Sequence, residues 1–265
     1  MRVTFLGTGT SAGVPMIGCT CPVCTSTDPR DDRSRPSVML EYIGDDGRLW
    51  RWLIDTAPEL RLQMIRHQVM QVDGVFYTHN HADHIFGIDD LRRFNAVMGE
   101  PVKVFAEAEV LRWMRSTFRY VFEPELNVNQ SFIPNLALNV IAPGHPVELG
   151  GQEWLPVRLM HGRLPILGFR VGGMAYCTDC SEIPDATIPF LEGLDLLVID
   201  ALRYREHPTH LSVDQALAWV ERLRPRRALF THIAHEISHA ELSSRLPAGV
   251  GLAYDGLVIE IRGTT

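Results

Sequence analysis

The residues with the clearest chemical potential lie in the segment 78–84, which reads Thr-His-Asn-His-Ala-Asp-His. Its three imidazoles and one carboxylate belong to His79, His81, Asp83 and His84. Nitrogen and oxygen ligands at this density suit a borderline-soft divalent cation such as zinc. The alternating His79 and His81 can meet one ion, whereas Asp83 and His84 turn towards a second. The segment therefore predicts a dinuclear metal site.

A second cluster of ligating side chains stands near the amino terminus, at Cys19, Cys21 and Cys24. The chain has 5 cysteines, an odd number. We expect a cytoplasmic protein, and in that compartment crowded cysteines indicate metal binding rather than a disulfide framework. A closed tetrahedral zinc site would need a fourth ligand. The alternative is a reactive or merely packed group of thiols. Cys177 and Cys180 are interpreted as buried, packed side chains.

The elements that must position these residues are short strands separated by amphipathic segments. The predicted strands are 3–6, 37–42, 50–54, 74–77, 102–105, 157–160, 168–171, 174–177, 196–199, 228–230 and 257–261. The clearest predicted helices are 60–70, 91–97, 106–118 and 212–223, the last with Ser212 as its cap. Strands come early and late with helices between them. The pattern favours an α/β fold in one domain, 1–265, with two packed sheets and outer helices.

The segment 78–84 resembles the signature of the metallo-β-lactamase superfamily, His-x-His-x-Asp-His. The resemblance implies an αββα sandwich of two mixed sheets, and two divalent cations, zinc or manganese. It also implies a histidine after a later strand, then a bridging aspartate, then a last histidine. His161, Asp179 and His232 each follow a predicted strand and match these positions. His145 competes with His161, but its Pro-Gly-His-Pro setting is typical of a turn.

The amino terminus narrows the resemblance. A glycine-rich stretch, 7–15, precedes Cys-x-Cys-x-x-Cys, and a Thr-His-x-x-His motif begins at Thr231. This combination is similar to the PhnP-like phosphodiesterases, which hydrolyse phosphoribosyl cyclic phosphate. The family pattern implies that His235 joins the three clustered cysteines as the fourth ligand of one structural zinc ion. The likeness covers nearly the whole chain except Tyr120 to Ile141, which we interpret as a lid or a surface excursion.

His210 belongs to neither metal set and precedes a predicted helix. In PhnP-like enzymes and the related tRNA 3′-processing nucleases, a histidine in such a position is thought to donate a proton or hold the phosphate. The alternative is a surface histidine near a helix cap. The resemblance implies that two cations share an attacking hydroxide, that Asp179 bridges them, and that His210 protonates the leaving oxygen. Asp83, Asp179 and His210 are therefore the expected catalytic residues.

Composition limits the partners that we expect. The formal net charge is -7 over 265 residues, which offers a polyanion no overall attraction, so we expect no nucleic-acid partner. The stretch Met1 to Gly7 is short and is soon broken by glycine, so we expect no signal peptide. No apolar run approaches the roughly 18 residues that cross a bilayer, so we expect no membrane partner. Monomer and homodimer both stay open.

The expected function is hydrolysis of a small cyclic phosphodiester, either phosphoribosyl 1,2-cyclic phosphate or a 2′,3′-cyclic nucleotide. A tRNA 3′-processing-type nuclease is the nearest alternative. A thioesterase or lactonase on the same fold, acting at carbon, is another. A non-catalytic metal-binding scaffold is the non-enzyme alternative, and it predicts lost ligands. None of the ligands that the resemblance implies is missing from the sequence.

Overall fold

Two seven-stranded sheets dominate the computed structural model, which describes residues 1–261. In spatial order the first sheet contains β14 (Val258–Glu260), β1 (Arg2–Gly7), β2 (Ser37–Ile43), β3 (Leu49–Ile54), β4 (Gly74–Phe76), β5 (Val102–Ala106) and β6 (Leu136–Val140). The second contains β13 (Val250–Leu252), β12 (Ala228–Thr231), β11 (Leu196–Asp200), β10 (Met174–Cys177), β9 (Leu164–Val171), β8 (Gln152–His161) and β7 (Val147–Leu149). Each sheet is antiparallel in one half and parallel in the other, so both are mixed.

Helices cover the outer face of each sheet. They are α1 (Leu60–Arg66), α2 (Ala82–Ile85), α3 (Arg92–Met98), α4 (Ala108–Thr117), α5 (Arg119–Phe122), α6 (Val213–Leu223) and α7 (His239–Ser243). Short 3₁₀ helices occupy Pro29–Asp31, Phe86–Leu91, Pro124–Leu126 and Asp185–Leu191. No helix within residues 1–261 combines the length and apolar character that crossing a membrane requires.

Three apolar layers hold these elements together. The middle layer fills the space between the sheets, where Phe76 and Trp154 stack with ring centroids 4.2 Å apart. One outer layer packs α1, α3 and α4 against the first sheet. The other packs α6 and its neighbours against the second sheet. Burial on both faces explains why the strands are so rich in apolar residues. The predicted αββα sandwich is therefore confirmed.

The differences from the predicted elements are local. The predicted helix 60–70 is wrong beyond Arg66, because Gln68 has a φ of 53° and cannot continue a right-handed helix. The short strands β6, β7 and β13 were not predicted, and β8 and β9 begin five and four residues before the predicted strands 157–160 and 168–171. Ser212 caps α6 as predicted, since its hydroxyl accepts a hydrogen bond from the Gln215 N–H at 3.3 Å.

The segment 120–141 begins within α5 and ends just after β6, which pairs with β5 at the sheet edge. The Tyr120 hydroxyl donates to Asp89 at 2.6 Å, and Arg92 donates to the Phe132 carbonyl at 3.3 Å. These contacts attach the segment to the 3₁₀ helix Phe86–Leu91 and to α3. Whether it acts as a lid stays a prediction.

Candidate metal centre and active site

The candidate site is built at the ends of strands, where loops leave both sheets at a common edge. Residues at or just after those ends supply it: Asp55 after β3, His79 after β4, His161 at the end of β8, Asp179 after β10, Asp200 at the end of β11 and His232 after β12. Three of them, Asp55, Asp179 and His232, have positive φ angles of 63°, 54° and 58°. Such backbone conformations are uncommon outside glycine and concentrate at functional sites.

Four buried side chains converge at the centre of this edge. Ligand atoms of Asp83, His84, Asp179 and His232 all lie within 4.8 Å of one another. His84 Nε2 lies 3.4 Å from Asp83 Oδ2 and 3.3 Å from Asp179 Oδ2. His232 Nε2 lies 3.5 Å from Asp83 Oδ2 and 3.1 Å from Asp179 Oδ1. Two imidazoles and two carboxylates in this arrangement form a suitable ligand set for one divalent cation.

The other three predicted histidines form a neighbouring set. The His79 ring centroid lies 4.5 Å from that of His81 and 5.6 Å from that of His161, and the His81 and His161 centroids are 5.0 Å apart. His79 Nε2 lies 3.8 Å from Asp179 Oδ2. Asp179 therefore faces both sets, as a bridging carboxylate must. His145, the rejected alternative, sits on an exposed turn beside the Pro143 carbonyl.

Hydrogen bonds behind the rings fix which nitrogen faces the centre. His84 Nδ1 lies 2.7 Å from Asp55 Oδ2, and His79 Nδ1 lies 2.9 Å from Thr78 Oγ1. His161 Nδ1 lies 2.8 Å from the Asp179 carbonyl oxygen. Contacts of this kind orient metal-binding imidazoles and leave Nε2 free for the ion.

The buried nitrogens test whether the side chains fit a metal. Among the residues described, Nε2 of His79, His84 and His232 is buried without a hydrogen-bond partner. An unsatisfied buried polar atom costs about 1–3 kcal/mol, so three such nitrogens facing one centre need a common partner. Divalent cations would satisfy all three. The side chains present therefore fit the metal binding that the fold implies.

Electrostatics supports the same interpretation. Burial lowers the pKa of His161 to about 4, so its imidazole is neutral at pH 7 and can offer a lone pair. Burial alone would raise the pKa of Asp179, but the neighbouring His232 and His84 hold it well below the usual range. Burial opposes protonation of His84, yet the Asp179, Asp83 and Asp55 carboxylates raise its pKa well above normal. The carboxylates at the centre thus favour a positive charge there, which bound cations would supply.

His210 stands beside the centre and is itself held by a carboxylate. Its ring centroid lies 4.6 Å from that of His161 and 4.8 Å from that of His232. His210 Nδ1 lies 2.9 Å from Asp200 Oδ2, and both side chains are buried. Burial and the adjacent His232 lower the pKa of His210 to about 4, whereas burial raises that of Asp200 well above normal. Such a pair is a candidate for proton transfer.

The second predicted ligand set is also assembled. Ligand atoms of Cys19, Cys21, Cys24 and His235 lie within 4.8 Å of one another. His235 Nδ1 lies 3.3 Å from both Cys19 Sγ and Cys21 Sγ. Hydrogen bonds from the Cys24 N–H and from His235 lower the pKa of Cys21 to about 6, which favours a thiolate. Three sulfurs and one imidazole nitrogen in a closed group suit a structural zinc ion.

Two acidic residues of the site were missed by the sequence analysis. Asp55 binds His84 from behind and also accepts hydrogen bonds from the Thr78 N–H and hydroxyl, at 2.9 and 2.8 Å. Asp200 holds His210. Each comes directly after an apolar run, Asp55 in Leu-Ile-Asp and Asp200 in Val-Ile-Asp. This is the same strand-end signal that identified His161. Cys177 and Cys180 are fully buried, as expected of packed side chains.

The chain is similar to one family model and to solved structures of the same fold. Residues 51–233 match the family model described as the beta-lactamase superfamily domain. A solved structure described as a new diphosphatase from the PhnP family shares 42% identity with the chain, with a TM-score of 0.89 over 98% of each chain. Zinc-bound PqqB from Methylobacterium extorquens shares 19% identity, with a TM-score of 0.78 over 98% of this chain and 100% of that one. At that identity the likeness shows the fold alone.

One curated relative is longer than the chain. An octanoyltransferase of Porphyromonas gingivalis is 38% identical over an alignment of 267 residues, which covers 99% of this chain and 52% of the relative. The chain therefore spans about half the length of this relative.

Proposed function

Because the chain belongs to the beta-lactamase superfamily, and within it to the PhnP-like proteins, it is a metal-dependent hydrolase, and we propose that it cleaves a small phosphodiester. The position of Asp179 carries the proposal. One of its oxygens lies 3.1 Å from His232 Nε2 and the other 3.8 Å from His79 Nε2. A carboxylate placed in this way can hold two cations together, and paired cations about 3.5–4 Å apart suit phosphate-ester hydrolysis.

Two ligand sets that share Asp179 would hold the cations, zinc or manganese. The first set adds His79, His81 and His161, and the second adds Asp83, His84 and His232. When bound, the cations supply a nucleophile at neutral pH and offset the charge that develops on the phosphoryl oxygens. The cysteine set with His235 would hold one structural zinc ion, away from substrate.

The protein's own proton donor is the Asp200–His210 pair. Burial raises the pKa of Asp200 and lowers that of His210, so the pair keeps one proton that either partner can carry. In both arrangements Nδ1 is engaged with Asp200 at 2.9 Å, and Nε2 carries a hydrogen. We assign His210 Nε2 as the donor to the departing alkoxide oxygen. Asp200 is a positioning residue, because it acts through His210.

The leading substrate is a cyclic phosphodiester, phosphoribosyl 1,2-cyclic phosphate or a 2′,3′-cyclic nucleotide. A diphosphate is the second candidate, favoured by the 42% identity with a PhnP-family diphosphatase. In a diphosphate with a substituent on each phosphorus, as in a diester, the phosphorus carries two bridging and two non-bridging oxygens, so the same centre can attack either. The two differ in the leaving group, since an alkoxide needs a proton and a phosphate needs none. The His210 donor therefore favours the diester.

Other activities on this fold receive less support. A tRNA 3′-processing-type nuclease would bind a polyanion, and the net charge of -7 opposes that. A thioesterase would have less need of the His210 donor, because a thiolate leaves more readily without a proton than an alkoxide does. A lactonase also expels an alkoxide, so only the 42% identity with a PhnP-family diphosphatase argues against it. A non-catalytic scaffold would not need the buried Asp200–His210 pair.

A substrate panel tests the proposal. Protein loaded with zinc or with manganese would be assayed on a 2′,3′-cyclic nucleotide, phosphoribosyl 1,2-cyclic phosphate, a disubstituted diphosphate, a precursor tRNA and an octanoyl thioester. We expect the highest kcat/KM on a cyclic phosphodiester. Preference for the diphosphate by more than about tenfold, roughly 1.4 kcal/mol, would select the second candidate. The same preference for the tRNA or the thioester would overturn the proposal.

A further inference from the structure

We propose that the turn Thr10–Gly13 and the side chain of Arg35 form a second anion subsite, which binds a non-reacting phosphate carried by the substrate. The inference rests on the proposed function, because it concerns the part of the substrate that is not cleaved. It assigns a role to the glycine-rich amino terminus, which the metal centre does not use.

An open cavity of about 340 Å³ adjoins the metal centre. Its polar lining includes Asp83, a candidate metal ligand, together with Ser11 and Arg35, and the apolar rest is Ala12, Met16, Ile17, Pro58 and Ala82. Binding sites for small molecules commonly enclose about 300–1,000 Å³, so this cavity suits a sugar phosphate better than a macromolecule. A substrate whose reacting phosphorus lies at the centre can thus extend into it.

Arg35 carries the single positive charge among the side chains that line this cavity within the described part of the chain. Its Nη1 lies 2.8 Å from Glu59 Oε1, with the Arg35 and Glu59 side chains 30% and 20% exposed. This ion pair fixes the guanidinium, which has five N–H donors in a planar fork. Within the described residues Glu59 is the acceptor found for this side chain, so most of those donors stay available. A guanidinium binds phosphate through paired hydrogen bonds.

The turn beside Arg35 supplies backbone donors. The Gly13 N–H donates to the Thr10 carbonyl at 2.8 Å, and the positive φ of 67° at Gly13 completes the turn. Within residues 1–261 the N–H groups of Ser11 and Ala12 have no protein acceptor, and both residues are exposed. A Cβ atom at Gly13 would lie 3.5 Å from Arg35 Nη1, so the turn and the guanidinium adjoin each other. Adjacent backbone amides and an arginine form a typical anion-binding concavity.

The surrounding structure holds the turn in place. The Thr10 N–H donates to the Ile233 carbonyl at 3.4 Å, and the Gly9 N–H donates to the Ser34 carbonyl at 2.8 Å. Farther along, the Met16 N–H donates to Cys24 Sγ at 3.3 Å, so the candidate zinc site anchors the other end of this loop. A preorganised subsite loses little entropy when the anion binds.

Two matched substrates test the inference: adenosine 2′,3′-cyclic phosphate and the same nucleotide carrying a 5′-phosphate. We expect the wild-type protein to have the lower KM for the 5′-phosphorylated compound. Arg35→Gln should raise that KM about 10–100-fold, the effect of losing charge-assisted hydrogen bonds to a phosphate. The KM for the compound without a 5′-phosphate should rise at least tenfold less. Arg35→Lys should restore part of the loss, because it keeps the charge.

Arg51→Gln is the matched control, since Arg51 is also half-buried and paired with a glutamate, Glu41, at 2.7 Å on neighbouring strands. It should change neither KM. Binding of ribose 5-phosphate by calorimetry gives a readout that needs no turnover, and Arg35→Gln should weaken it by a similar factor. Equal effects of Arg35→Gln on both nucleotides, or unchanged ribose 5-phosphate binding, would overturn the subsite. Failure of the wild-type protein to hydrolyse either nucleotide would instead count against the cyclic phosphodiester function.

Discussion

His210 and Asp200 form a buried pair, with Nδ1 of the imidazole 2.9 Å from Oδ2 of the carboxylate. The ring lies against those of His161 and His232, at centroid distances of 4.6 and 4.8 Å. His210 is therefore placed by the same strand ends that place the candidate metal ligands, and its ligand atom lies within 4.8 Å of those of His161 and Asp179. Its Nδ1 is held from behind, as is that of His84, so Nε2 is the free nitrogen in both rings. The metal content and the leaving-group dependence of a His210 variant distinguish a proton donor from a ligand.

The first prediction concerns the proton donor. His210→Ala should retain both active-site cations and lose about 10²–10⁴-fold in kcat on a cyclic phosphodiester. The loss should shrink for bis(p-nitrophenyl) phosphate, because p-nitrophenolate departs without a proton. Elemental analysis beside steady-state kinetics gives both readouts. Equal losses on the two substrates would mean that His210 binds phosphate, and a lost cation would make it a ligand.

The second prediction concerns pH. A proton donor must be protonated, so activity on alkoxide leaving groups should fall as pH rises through the pKa of the Asp200–His210 pair. Asp200→Asn removes the carboxylate that stabilises the protonated ring, and should move this alkaline limb to lower pH. The measurement is kcat against pH for the wild type and Asp200→Asn at constant metal occupancy. An unmoved limb would show that Asp200 plays only a structural role.

The third prediction separates the two metal sites. Wild-type protein purified without chelator should contain about three metal ions, since two ligand sets share Asp179 and a third is closed by cysteines. Cys21→Ser should contain about two and melt about 5–15 °C lower, while each folded active site keeps most of its turnover. Wild-type melting behaviour with specific loss of activity would show that the cysteine site is the catalytic one.

Much of this site could be predicted from the sequence because its ligands follow local rules. The segment 78–84 places four candidate ligands in the loop after β4 and the single turn of α2, and His161, Asp179 and His232 each come at or just after a strand end. Asp55 and Asp200 obey the same rule but carry no motif of their own. Their importance depends on His84 and His210, which reach them from 29 and 10 residues away. The hydrogen bonds to Nδ1 of these histidines form only when the chain folds, so a local sequence pattern does not reveal them.

The fold shows the same division between local and tertiary information. Strands buried on both faces have continuous apolar runs, and β2, β3, β10 and β12 were predicted within a residue at each end. The strands β6, β7 and β13 lie at sheet edges, and β7 and β13 have only three residues each, too few for a recognisable apolar pattern. The β6 sequence is largely apolar, but it lies in the segment 120–141, to which no element was assigned. The helix 60–70 was predicted too long because the apolar spacing continues past Arg66, whereas the chain turns at Gln68.

The fourth prediction is a dependence of stability on pH through His239. Burial, then the charges of Arg30 and Arg33, lower the pKa of His239 to about 4 in the folded protein. The unfolded chain titrates near 6.5. Stability from this residue is therefore complete above pH 6.5 and is lost as pH falls towards 4, by at most about 3 kcal/mol.

His239→Gln removes the titration, so its stability should fall less than that of the wild type between pH 7 and pH 5. Urea unfolding at both pH values measures the difference, and subtracting one protein from the other removes effects common to both, including weaker metal binding in acid. Parallel losses in the two proteins would exclude His239 as the source.

The last prediction tests Asp55, the residue behind His84. Its carboxylate accepts hydrogen bonds from the Thr78 N–H and hydroxyl and lies 2.7 Å from His84 Nδ1. Asp55→Asn can keep the backbone, because asparagine tolerates the φ of 63° found there. It should nevertheless weaken cation binding at the His84 set about 10–100-fold, since the ring loses the charged partner that orients it and raises its basicity.

Chelator competition monitored by elemental analysis measures this loss directly. Asp185→Asn is the matched control, because Asp185 is 91% exposed and should leave both sites unchanged. The cysteine site should keep its ion in both variants, since Asp55 contacts none of its ligands in the part of the chain that the structure describes. Cation affinity in Asp55→Asn equal to that of the control would show that His84 needs no carboxylate behind it. A general loss of all three ions would indicate that Asp55 supports folding as a whole.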